Sequence, residues 1–297
     1  MTASTSSPVV ARRRLDSGSL PSSIEADLLQ PVDRPIGICY LLHGGNGGDQ
    51  FLATLAPVVL QAWDSGALPP MVVATPLTGR SFYMDFRDGS QLWETMLTGP
   101  LLERLRADAG LAPDSPVVAA GVSMGGMGAL RLGFKHPGTF SAIAALEPGI
   151  EPALEFEDIE LRDRFYRDQE VFETIYGRPV DRDYWRQSHP AAIAAEDPGR
   201  LRNLGIYLEC GDEDVFELYR GAEFLHRLLF DAGVRHEYRL VRGADHFGTT
   251  LAPRLADALG FLGRQLAQPA EDPVARSMRS QVDALRRRAL AGQATPA

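Results

Sequence analysis

One stretch constrains the chain more than any other: PVVAAGVSMGG, from Pro116 to Gly126. An apolar run, the pattern of a strand buried on both faces, passes without a spacer into Gly-x-Ser-x-Gly and then into small residues suited to a helix start. A strand that turns this sharply into a helix leaves little room for side chains. Glycines are therefore expected at Gly121 and Gly125, where a Cβ would strike the neighbouring strand or helix. The serine between them is held on a strained bend, its hydroxyl raised above the sheet edge, with free N–H groups of the helix N-terminus beside it. Ser123 is thus the candidate nucleophile.

The rest of the chain supplies a scaffold for such a turn. Val9 to Arg14 and Ile24 to Leu29 read as two antiparallel strands joined by a turn around Gly18 and Pro21. Further strands are expected at Ile36 to Leu42, Met71 to Thr75, Pro116 to Val122, Ala142 to Leu146, Leu204 to Cys210 and Val234 to Val241. Helical patterns lie between them at Asp49 to Trp63, where Pro57 should kink or restart the helix, and at Leu92 to Asp108, with Leu97, Leu101, Leu102 and Leu105 on one face. Others follow at Met124 to Lys135, Val215 to Asp231 and Thr249 to Leu266. Strands alternating with helices of this length predict an α/β domain: a mostly parallel central sheet with helices on both faces. The charged, aromatic-bearing segment from Glu147 to Arg200 breaks the rhythm and reads as a helical cap insertion. The expected organisation is one domain over residues 1–267, with the insertion at about 147–200, and a tail over 268–297. Val274 to Leu290 in that tail reads as a loosely attached helix, a plain appendage or an oligomer contact.

A serine hydroxyl needs a base within hydrogen-bond reach. His226 falls mid-helix, His236 mid-strand, His136 at the far end of the nucleophile helix and His189 in the insertion. His246, in GADHFG just past the last strand, lies at the carboxyl edge of the sheet, where Ser123 also sits and where ligands gather. It is the candidate general base. The orienting acid should lie between Ser123 and His246 in the chain, and GDEDV after strand Leu204 to Cys210 offers Asp212, Glu213 and Asp214. Asp214 is favoured because it stands beyond the turn, facing the histidine loop, which leaves Asp212 to cap the following helix. The backbone N–H groups of Gly45, in His43-Gly44-Gly45, and of Met124 are the candidate oxyanion donors. Phe156, Phe165, Tyr166, Phe172, Tyr176, Tyr184 and Trp185 are candidates to line the pocket or to pack on the body.

These segments resemble a known family. YLLHGG, SFYMDF followed by LWETMLTGPLLERL, GVSMGGMGALRLGFKHPGTFSAIAAL, and ECGDEDVF are similar to the putative-esterase branch of the α/β-hydrolases, which includes S-formylglutathione hydrolases (esterase D), feruloyl esterases and mycolyltransferases. The resemblance covers most of Ile36 to Phe247 except the insertion. It implies the α/β-hydrolase fold and a serine carboxylic-ester hydrolase, or an acyltransferase or thioesterase using the same residues. It places the nucleophile on Ser123, the acid on Asp214, the base on His246 and the oxyanion donors on Gly45 and Met124.

Charge and cysteine usage narrow the partners. Thirty basic against 39 acidic side chains give a formal net charge of −9, which disfavours nucleic acid and an anionic membrane surface. Cys39 and Cys210 both sit in strand-like runs and read as buried thiols, and no Cys/His cluster has metal-ligand spacing. The serine mechanism needs no cofactor. Without a signal-like leader or an 18-residue apolar span, the expected location is cytoplasmic and the expected partner a small-molecule ester.

Overall fold

The computed structural model describes residues 10–15, 24–45, 48–267 and 272–293. The chain divides into two units, Met1–Leu266 and Ala267–Ala297. In the first, β1 (Ala11–Leu15), β2 (Ile24–Leu29), β3 (Ile38–Leu42), β4 (Val72–Pro76), β5 (Val117–Val122), β6 (Ala142–Leu146), β7 (Gly205–Gly211) and β8 (Glu237–Val241) form one sheet in the order β1-β2-β4-β3-β5-β6-β7-β8. β2 runs antiparallel to both its neighbours, and every pairing from β4 to β8 is parallel. The mostly parallel sheet expected from the alternation of strand and helix patterns is therefore present. Val9 and the turn around Gly18 and Pro21 lie outside the described residues.

Side-chain alternation along the strands splits the core in two. On β5, Val117 and Ala119 belong to one buried cluster and Val118, Ala120 and Val122 to the other. The second cluster is closed by α1 (Phe51–Asp64), through Leu52, Leu55 and Val59, and by α9 (Leu251–Leu266), through Leu255, Leu259 and Leu262. The first takes Leu97 from α2 (Trp93–Thr98), Leu101, Leu102 and Leu105 from α3 (Pro100–Asp108), Leu130 and Leu132 from α4 (Met124–Lys135) and Leu225 from α8 (Tyr219–Asp231).

At two helices the structure refines the expectation. Pro57 lies inside α1 without ending it; Pro57 and Ala53, whose carbonyl loses its helical partner, are both on the solvent face, where water can satisfy that oxygen. The helix expected over Leu92 to Asp108 is instead two, α2 and α3. Pro100 has no N–H to continue α2, and Gly99 takes a turn conformation between them, with φ −123° and ψ −106°.

The 147–200 segment consists of short 3-10 turns with α5 (Gln169–Tyr176), α6 (Arg182–Ser188) and α7 (Pro190–Glu196). Phe172, Ile175, Tyr176, Trp185 and Ala191 from it join the same core cluster as α2, α3, α4 and α8. Its aromatic residues therefore mostly serve packing. In the second unit, α10 (Pro273–Gln293) contains the expected tail helix and extends it at both ends. Cys39 and Cys210 are buried free thiols.

Candidate active site

β5 delivers Ser123 to the carboxyl edge of the sheet, immediately before α4. The serine takes φ 58° and ψ −116°, a strained geometry for a residue with a side chain. The turn is stapled on both sides: Ser123 N donates to Leu146 O at 2.9 Å, and Met127 N donates to Ser123 O at 3.0 Å. The glycines are needed for the reason inferred from the sequence. A Cβ on Gly121 would lie 2.1 Å from Gly125 O, and one on Gly125 would lie 2.1 Å from Leu42 O. Both contacts are with backbone that cannot step aside. Gly125→Ala is accordingly expected to cost about 1–3 kcal/mol, the usual penalty of overpacking, and to displace the serine. Thermal unfolding and turnover measured on the variant check this, and an unchanged melting temperature with full activity would contradict it.

His246 follows β8 and is buried. Its Nδ1 lies 2.7 Å from Asp214 Oδ2, while Asp214 Oδ1 accepts from Phe216 N at 2.8 Å and Leu218 N at 3.3 Å. The acid is thus held by its own loop and presents one oxygen to the ring. Asp212 does not cap α8 as expected; its Oδ1 accepts from Gly243 N at 2.6 Å, tying the acid loop to the histidine loop. Asp245 does the same from the other side, accepting from Val215 N at 3.0 Å and from His246 N at 2.6 Å.

A second acid stands at this ring, and sequence reasoning placed it only as the first residue of the insertion. Glu147, directly after β6, is fully buried, and its Oε2 lies 3.4 Å from His246 Nδ1. Its Oε1 pairs with Arg254 of α9. Burial pushes the Glu147 carboxyl up to about 7 despite the opposing charges of Arg254 and His246. Glu147, Asp214 and His246 are also the group, among the described residues, whose ligand atoms lie close enough to hold a metal ion, within 4.8 Å of one another. Asp214 already occupies Nδ1, and Arg254 already holds Glu147.

Gly45, Ser123, Met124 and His246 all line one cavity of about 510 Å³. Among the described residues no direct hydrogen bond joins the Ser123 hydroxyl to His246, and such contacts often tighten only when substrate binds. Phe51, Phe82, Phe216, Phe247 and Leu251 make most of the remaining wall apolar, and Tyr166 is the one ring of the seven insertion candidates that reaches it. His189 is buried elsewhere, stacked on Trp185 at 4.3 Å between centroids and 3.4 Å from Glu151. His136 bonds Glu94 at 2.8 Å, and His226 and His236 bond each other at 2.8 Å. Asn46 and Gly47 of the glycine-rich loop lie outside the described residues.

Beneath the cavity, a buried ionic network fixes its wall. Arg131 of α4 pairs with Glu94 of α2 and donates to the carbonyls of Phe82 and Tyr83, which take the left-handed φ values 53° and 57°. Tyr83 in turn donates its hydroxyl to His43 O at 2.9 Å, in the loop that carries Gly45. Lys135 and His136 complete the ring around Glu94 at 2.8 Å each. Arg131 was not singled out from the sequence; its signal is a lone arginine within the apolar stretch of α4 that precedes Lys135.

The family model described as "Putative esterase" matches residues 17–262. The MPT51 antigen of Mycobacterium leprae (strain TN) is 37% identical over 83 residues, which are 28% of this chain and 27% of that protein, so the chain matches about a quarter of that relative's length. A ferulic acid esterase structure superposes with a TM-score of 0.69 at 22% identity, covering 87% of this chain and 99% of that one. An S-formylglutathione hydrolase from Agrobacterium tumefaciens superposes with a TM-score of 0.65 at 20% identity, covering 87% and 95%. At these identities the structural likenesses show the α/β-hydrolase fold.

Proposed function

The chain belongs to the putative-esterase family, and we propose that within it the protein is a serine carboxylic-ester hydrolase working through an acyl-enzyme on Ser123. The observation that carries this reading is the 2.7 Å contact of Asp214 with His246 Nδ1, in a cavity that His246 shares with Ser123, Met124 and Gly45. Asp214 holds the imidazole with Nδ1 protonated, leaving Nε2 to accept the serine proton as Oγ attacks the ester carbonyl. The backbone N–H groups of Met124 and Gly45 receive the oxyanion. The imidazolium returns its proton to the leaving alcohol, and water, activated by the same nitrogen, releases the acid and regenerates Ser123.

The cavity wall suggests the substrate class. Aromatic and aliphatic side chains dominate it, so an ester with an apolar acyl or aryl group fits better than a polyhydroxylated one. The partner is a small-molecule ester, and no cofactor enters any step.

Stopped-flow hydrolysis of p-nitrophenyl acetate and butyrate tests the reading. The expected result is release of p-nitrophenol with an acyl adduct of the matching mass on the trapped enzyme. Adding a competing alcohol or a thioester substrate separates hydrolysis from acyl transfer and thioester cleavage: free acid should remain the main product. Turnover without any covalent adduct, in wild type and in slow-deacylating variants alike, would overturn the acyl-enzyme route.

A further inference from the structure

We propose that Glu147 is a positioning residue for His246: a second carboxylate that shares the imidazole with Asp214 and sustains part of the activity when Asp214 is removed. The inference rests on the ester-hydrolase reading of the same site.

Its backbone is the first observation. Glu147 takes φ 49°, left-handed for a residue with a branched-off side chain, and such strain persists only where the surroundings impose it. Here the surroundings are the elbow itself. Leu146 O accepts from Ser123 N at 2.9 Å, and Glu147 N donates to Glu209 O at 2.7 Å. The residue is therefore locked between the nucleophile turn and β7, with its side chain fully buried.

The side chain is the second. Oε1 pairs with Arg254, whereas Oε2 is buried without a hydrogen-bond partner and lies 3.4 Å from His246 Nδ1. A buried carboxylate oxygen left unpaired costs free energy unless a charge forms beside it. The proposed reaction forms one: the imidazolium. Above about pH 7, where Glu147 is ionised, Asp214, Glu147, Arg254 and protonated His246 sum to zero charge, a balance reached as the proton leaves Ser123.

The groups around Glu147 are Asp214 from the loop after β7, His246 from the loop after β8 and Arg254 from α9, with Glu209 and Cys210 on β7. Glu209 lies 3.6 Å from Arg254 and receives the Tyr207 hydroxyl at 2.5 Å. Burial raises Glu209 and Cys210, so Glu209 competes weakly for Arg254 and Cys210 stays a neutral thiol.

The test is a cycle of variants read by kcat/KM against pH. Asp214→Ala alone should lose about 10²-fold, the coupling usual for neighbours in one network. Asp214→Ala with Glu147→Gln should lose about 10⁴-fold, the cost of leaving a catalytic histidine without its acid. Glu147→Gln alone should move the acid limb to lower pH and lower the plateau, because the imidazolium has lost a neighbouring anion. A merely structural glutamate would lower the plateau and leave the limb in place. If Glu147→Gln folds poorly with Arg254 unpaired, Glu147→Gln with Arg254→Met removes both charges and reports the same limb. An unmoved limb in both variants, or Asp214→Ala as slow as the double variant, would overturn the proposal. Wild-type ester turnover that depends on Ser123 keeps such a failure separate from failure of the hydrolase reading.

Discussion

Ser123→Ala is expected to lower kcat for any ester substrate on the order of 10⁵- to 10⁶-fold, the cost of losing a nucleophile that acts as one unit with its base. The loss should be confined to the chemistry. Ser123 is only partly buried, and the backbone bonds of the elbow, from Ser123 N to Leu146 O and from Met127 N to Ser123 O, do not involve its hydroxyl. Alanine pays the same backbone strain as serine at φ 58°. Unfolding should therefore shift little, and KM for a poor substrate should stay close to that of the wild type because the cavity wall is intact. Kinetics and a melting curve on the same preparation decide the point. A variant that keeps more than a hundredth of the wild-type rate would remove Ser123 from the mechanism.

The second large effect concerns stability. Arg131→Met is expected to cost about 3–5 kcal/mol, the range for stripping one partner from a buried ion pair. Arg131 is fully buried against Glu94, and its loss also leaves the carbonyls of Phe82 and Tyr83 without their donor. Lys135 and His136 would still face Glu94, but from its partly exposed side. Removing both charges with Glu94→Gln and Arg131→Met should recover part of the loss, since an uncharged pair leaves nothing stranded. The pH dependence has a definite sign. Burial favours the neutral form of Glu94, but the His136 hydrogen bond and the charges of Arg131 and Lys135 overcome it and hold the carboxyl well below the ordinary range. The unfolded chain then binds this proton more readily than the folded one. The stability contributed by Glu94 is present above the ordinary carboxylate range and is lost as pH falls below it. Denaturant titrations of the variants at neutral and acidic pH check both statements. A change below 1 kcal/mol for Arg131→Met would mean that the network contributes little.

Legibility of this molecule from its sequence followed the strength of local physics. Buried parallel strands need continuous apolar runs, and α4 and β6 were placed to the residue because Ser123, His136 and the flanking loops leave no alternative ends. The helix runs on through Pro57 because the missing bond lies on the solvent face, which a proline rule for helix interiors does not consider. The break between α2 and α3 was signalled by Gly99-Pro100 but outweighed by the leucine stripe that runs through it. At the candidate site, the cavity that Ser123 shares with His246 and the contact of Asp214 with His246 follow the expectations from the glycine-flanked turn and from loop position. Glu147 was not, because a glutamate at the start of a charged segment resembles a solvated one until the third dimension brings Arg254 and His246 to it. Among the insertion's aromatics, only Tyr166 reached the cavity, because periodicity cannot say whether a buried ring faces a core or a pocket.

If His246 makes the Ser123 hydroxyl nucleophilic, a serine-reactive phosphonate must be captured on that oxygen. The purified protein is incubated with a fluorophosphonate, its intact mass is measured, and the modified peptide is sequenced. One adduct is expected, on Ser123, absent from Ser123→Ala and formed far more slowly by His246→Ala. A folded wild-type protein that stays unmodified, or that is labelled at another residue, would contradict it.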